Sequence, residues 1–226
     1  MEKAISGSSM MNFSRNSSAA ALSSSGFMGQ SSEKIALYVL LAVASSMFML
    51  FMLAYLIRSN VGDWDTLSQP WNPLSNRSQL WLNTSMLLCS SVAFEYARRM
   101  VKAGNETGIL RGLMLAGAFT LAFLIGQVSV WQQLIEQGYY LNTNPANSFF
   151  YVLTALHGGH LALGLVFWAA TMGRAWSGNS PEKVARITDM CATFWHFLFA
   201  LWLLLFFILA GPPETIALLA SYCDII

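Results

Sequence analysis

The chain alternates long apolar runs with short polar connections, five times over. The runs fall at about residues 35–57, 78–96, 112–134, 148–172 and 190–210. The first reads IALYVLLAVASSMFMLFMLAYLI without a formal charge. About 20 helical residues at 1.5 Å rise cross a hydrocarbon core of about 30 Å, so each run predicts a membrane-spanning helix. The second run differs from the rest: LWLNTSMLLCSSVAF carries Asn, Thr, Ser and Cys at its centre, a composition that suits close helix packing more than lipid contact. The connection NVGDWDTLSQPWNPLSNR holds Trp64, Trp71 and two prolines, as an interfacial loop would. Residues 1–32 are rich in Ser, Gly, Ala and Asn, contain no apolar run and are expected to be a disordered tail. The pattern therefore divides the chain into that tail, a transmembrane domain over 33–211, and a segment, 212–226, too short to span.

Composition agrees. Of 226 residues, 55% are hydrophobic and 10% charged, against about 25% charged in a soluble domain. The predicted fold class is all-α, an integral membrane bundle of five transmembrane helices. A net charge of +1 gives no reason to expect a nucleic-acid partner. The placement of the charges says more. Lys3, Arg15 and Lys34, then Arg98, Arg99, Lys102 and Arg111, then Arg174, Lys183 and Arg186 fall on one side if five spans are counted; Arg58 and Arg77 fall on the other. Basic residues collect on the inner side, so the N-terminus is expected inside and the C-terminus outside. The inner-side Arg174, Lys183 and Arg186 are expected to attract anionic lipid headgroups. Cys89, Cys191 and Cys223 have no C-x-x-C spacing and read as small buried residues.

The fourth run, SFFYVLTALHGGHLALGLVFW, holds two of the three histidines, His157 and His160, in a stretch without formal charge. Ionisable groups inside a span ask for an explanation. His157, His160 and Gly164 share one helix face. With His196 from the next run they offer three imidazoles for a metal or haem, but no carboxylate lies within the runs to orient them except Glu95, at a helix end beside Arg98 and Arg99. Contacts with neighbouring helices or lipid are the expected role. Gln127 and Trp131, four residues apart, are expected to make polar contacts across helices, and Gly117, Gly126, Ala155, Gly159 and Gly164 to permit close approach. No phosphate cradle, H-E-x-x-H or nucleophile motif is present. A small transporter would need broken spans or carboxylates within the membrane.

Three segments resemble a family. SFFYVLTALHGGHLALGLVFW is similar to the T-F-F-x-x-T-G-x-H-G-x-H-x-x-x-G helix of subunit III of haem-copper terminal oxidases, FWHFLFALWLLLF to its final W-H-F-x-D-x-x-W helix, and LWLNTSMLLCSS to its N-T-x-x-L-L-x-S-S helix. The resemblance covers roughly residues 35–211. It implies the five-helix bacterial form in the plasma membrane, a subunit that binds no cofactor or metal itself. Haem and copper would sit in the partner catalytic subunit I, with subunit II as a further partner. The implied role is to pack on the catalytic subunit, hold phospholipids, and support proton uptake and turnover during reduction of dioxygen to water. The family histidines fall on His157, His160 and His196, with Trp195 in the W-H-F motif, and a lipid-holding basic residue falls near Arg174. Three family carboxylates are replaced here by Ser46, Val130 and Phe199. An accessory protein of a nitric oxide reductase, which shares these helices, is the alternative.

Overall fold

The computed structural model describes residues 4–59, 61, 77–142, 145–178 and 180–210. Five helices follow in order: α1 (Ala4–Ser59), α2 (Arg77–Lys102), α3 (Glu106–Glu136), α4 (Pro145–Trp176) and α5 (Pro181–Ala210). The described residues contain no strand. The Trp64 and Trp71 connection and the segment 212–226 lie outside the described residues.

Helix boundaries follow local chemistry. Pro145 and Pro181 open α4 and α5, where a missing N–H costs nothing because the first amides have no intrahelical acceptor. Asn105 caps α3 by accepting the Gly108 N–H at 2.9 Å. The chain leaves α3 through Gly138 at φ +87°, with the Tyr139 N–H donating to the Leu134 carbonyl at 2.9 Å, an arrangement that needs the left-handed backbone glycine adopts readily.

At the start of the chain the backbone is helical from Ala4 through the Ser-rich stretch. No proline precedes Pro70, and extending a helix from an established apolar run avoids a second nucleation step. The chain divides into two units, Met1–Val43 and Ala44–Ile226, with α1 passing through both.

Within the second unit, α2 packs on α3 and α5, and α4 packs on the same two helices, so the four form a closed ring. The buried positions of α2 are Leu80, Asn83, Thr84, Leu87, Ser90, Ser91, Ala93, Phe94 and Ala97, largely the three-and-four spacing of one helix face. The C-terminal part of α1 joins the ring from outside: Phe48, Met52, Tyr55 and Leu56 share a core with Ala146, Leu153, Leu201, Leu205 and Ile208.

Small residues set how closely the ring closes. Gly126 lies against the Asn83 side chain and Gly117 against the Trp168 indole, where any Cβ would collide. A Cβ at Gly112 would stand 2.8 Å from that of Ala97, and one at Gly164 2.8 Å from the Phe194 ring. Ala155 and Gly159 behave otherwise: both are exposed, and nothing lies within 4 Å of a Cβ at Gly159. They sit about 200° around α4 from His157 at 100° per residue, on the opposite face.

Four described helices are both long and apolar enough to cross a membrane: Ser32–Ser59 within α1, α3, α4 and Pro181–Leu209 within α5. The chain is a multi-pass membrane protein. The expected span at 78–96 is not among the four. At 26 residues α2 has the length, about 39 Å at 1.5 Å per residue, but its Ser, Thr and Asn content and terminal charges keep it from being apolar enough.

Candidate functional site

The three histidines occupy three different environments. His157 on α4 is fully buried in the ring. The Phe123 ring meets it edge-on at 6.0 Å and the Trp202 indole covers it at 5.1 Å. Neither of its ring nitrogens has a hydrogen-bond partner. His160, one turn further, is half-buried; its Nδ1 lies 2.8 Å from the Leu156 carbonyl and its ring 5.5 Å from Phe48. His196 on α5 faces α2, with Nδ1 2.6 Å from Ser91 Oγ and Nε2 3.6 Å from Glu95 Oε2.

The imidazoles therefore do not converge. His157 is level with Trp202, while His196 lies six residues earlier on α5, about 9 Å along the axis. Among the described residues, no group of three or more His, Cys, Asp or Glu side chains could hold a metal ion.

His196 belongs to a charged cluster at the end of the ring where α2 stops and α5 begins. Glu95 pairs with Arg98 at 3.6 Å and with Arg99 Nε at 3.2 Å. Arg98 Nε also lies 2.8 Å from Asp189 Oδ1, a close ion-pair contact without the alignment of a hydrogen bond. Glu95 is thus paired at a helix end, and this cluster ties α2 to α5. At the same end, the turns after α2 and α4 meet around a shallow cavity of about 100 Å³ lined by Val101, Gly104, Ile109, Ala175, Pro181 and Val184 among others.

Elsewhere the ring is fastened by indole donors. Trp131 donates to Thr154 Oγ1 at 3.1 Å, Trp195 to Thr120 Oγ1 at 3.0 Å, Trp202 to Thr84 Oγ1 at 3.1 Å and Trp168 to the Leu113 carbonyl at 2.8 Å. Ser90 adds a hydroxyl to Thr120 at 2.8 Å and reaches the Ala116 carbonyl at 2.9 Å. Each pair joins two helices, and an N–H inside a membrane bundle must find such an acceptor or remain unsatisfied.

Of the residues singled out from sequence, Trp131, Trp195, His157 and Gln127 face the ring. Gln127 is buried with neither amide atom partnered. Arg174 and Lys183 are exposed and Arg186 half-buried at the end that carries the charged cluster. Sequence reasoning missed the acceptors Thr84, Thr120 and Thr154 and the buried Asn83. Their signal was present: Asn83 and Ser90 stand seven apart, as do Thr84 and Ser91, a polar stripe on one face of an otherwise apolar helix.

Comparison with known proteins supplies the family. Residues 9–210 match the family described as cytochrome c oxidase subunit III. The chain belongs to that family. The cytochrome c oxidase subunit 3 of Thermostichus vulcanus is 28% identical over 183 residues, 77% of this chain and 85% of that protein. The protein of the same name from Synechocystis is 28% identical over 171 residues, 74% and 70% of the two chains. That of Gazella leptoceros is 28% identical over 135 residues, 60% of this chain and 51% of that protein. Subunit III membership makes the chain an accessory, non-catalytic component of a haem-copper oxidase of the respiratory chain, associated with the other oxidase subunits.

Proposed function

We propose that the chain crosses the membrane five times, N-terminus inside, and packs on the haem- and copper-bearing subunit I, with subunit II in the same complex. There it holds phospholipids and supports proton uptake while dioxygen is reduced to water. The single observation that carries the reading is the subunit III match across 9–210, which embraces all five helices of the fold. The fifth crossing is α2. Its polar side chains are turned into the ring, so its low hydropathy reflects helix contacts rather than a surface position. With α2 counted, the inner-side loops carry ten of the twelve basic residues.

Lipid is held at that inner end by Arg174, Lys183 and Arg186, each contributing about 1 kcal/mol toward an anionic headgroup. With Ser46, Val130 and Phe199 in place of family carboxylates, proton support here relies on the partner surface and bound lipid rather than on charges within this chain's spans. The relatives' shared name favours an oxidase over a nitric oxide reductase as the host complex. A bacterial plasma membrane suits the five-helix form.

The test is purification of a tagged chain from its own membranes. A haem-copper subunit is expected to co-purify, with its visible spectrum, and oxygen reduction should decay faster during turnover when the chain is stripped away. Recovery without any haem-containing companion would sink the reading. Reporter fusions after residues 61 and 103, which bracket α2, are expected on opposite sides of the membrane, and the same side for both would remove α2 as a crossing.

A further inference from the structure

Eight buried side-chain nitrogen and oxygen atoms among the described residues have no hydrogen-bond partner, and five of them belong to Asn83, Gln127 and His157. These residues come from α2, α3 and α4 and are at least nine-tenths buried, at 3%, 4% and 0% exposure.

The contacts around them place all three in one cross-section of the ring. Phe123 touches His157 and Trp131 bonds to Thr154; Gln127 lies one turn from both Phe123 and Trp131, hence level with the Thr154 to His157 interval. Asn83 is packed against Gly126, the neighbour of Gln127. Trp202 closes the section from α5, 5.1 Å from His157 and 4.8 Å from Phe123, with its N–H on Thr84 beside Asn83.

The chemistry of the unpartnered atoms defines the ligand. Asn83 offers two amide donors, Gln127 two donors and a carbonyl, and a neutral His157 one donor and one acceptor. The aromatic groups already occupy positions around the imidazole, and no protein acceptor meets its nitrogens. A ligand here must be small, uncharged and able both to donate and to accept. Water does so, making about three hydrogen bonds per buried molecule. We propose that Asn83, Gln127 and His157 together hold a small cluster of ordered water molecules inside the α2–α5 ring. The cluster links three helices whose side chains do not bond one another directly, and it fixes the rotation of α3 against α2 and α4. It stands apart from the assignment of the chain's role in the oxidase.

Solid-state NMR of the full chain in phospholipid bilayers tests this, with nitrogen-15 in its three histidines and His157→Phe used only to assign the signals. Magnetisation transferred from water is expected to reach the His157 nitrogens as fast as those of His196, although His157 is fully buried and the His196 side chain is 37% exposed. Gln127→Leu and Asn83→Leu should each lower the transfer to His157 and leave that to His196 unchanged. The wild-type measurement needs no variant to fold. His157 staying dark while His196 builds up overturns the proposal. So does a direct imidazole contact with the Gln127 amide in place of the water signal, or an undiminished water signal in both folded leucine variants.

Discussion

The first two helices differ in what they bury. The spanning part of α1 is the more apolar, yet only 17% of its most apolar stretch is buried, against 39% to 44% for the stretches in α3, α4 and α5. Leu50 and Val43 point outward at 67% and 59% exposure. The more polar α2 lines the ring, with Leu87, Ser90, Phe94 and Ala97 at 0% exposure. Hydropathy therefore reports which surface faces lipid, and α1 has more of it. Membership of the bundle is reported by small and hydroxyl side chains at helical spacing, because they let backbones approach and give indole donors an acceptor.

The largest expected effect separating the two helices comes from truncating one large side chain on each. Phe94 lies 4.4 Å from the Trp195 ring, and Phe94→Ala should lower the unfolding free energy by about 3–5 kcal/mol. Leu50→Ala on α1 should change it by less than about 0.5 kcal/mol. Denaturant titration of the purified chain in detergent measures both, and equal losses would erase the distinction.

Next in size is overpacking. Gly126→Val pushes a branched side chain into Asn83 and should cost about 1–3 kcal/mol, whereas Gly159→Val, with nothing within 4 Å, should be tolerated in the same titration. Removing an indole bond comes third. Trp202→Phe and Thr84→Val break the same hydrogen bond and should each cost about 1 kcal/mol from that bond, beyond any repacking. A double-mutant cycle should find the pair coupled, and strict additivity would show that the bond contributes nothing. The smallest effect belongs to the charged end. Glu95 and Arg99 are 35% and 72% exposed, so Glu95→Gln should shift stability within about 1 kcal/mol, and added salt should shrink the shift.

The same division runs through the histidines. His157 and His160 stand three apart in one motif, yet one faces the ring and the other lies against the Leu156 carbonyl and Phe48. Their spacing allowed a shared stripe, and the handedness of the helix, about 300° between them, splits that stripe across two surroundings. His196 matched the family motif, but its neighbours Ser91 and Glu95 lie over a hundred residues away in the chain, beyond what a local pattern reveals. Gly159 and Ala155 were legible as small, but not as outward-facing. Among small apolar residues the side toward the partner helix is set by the neighbours.

Sequence by itself determined how many long apolar runs the chain has and, through HGGH and the W-H-F segment, which family it belongs to. Period, punctuation and motif are properties of neighbours along the chain. Only the tertiary structure decided that α2 to α5 close on one another, that four tryptophans find their acceptors across helices, and that Asn83, Gln127 and His157 meet in one section of the ring. Those outcomes depend on the rotation and depth of each helix against the others, which side-chain volume and hydrogen bonding fix together once the helices are in contact.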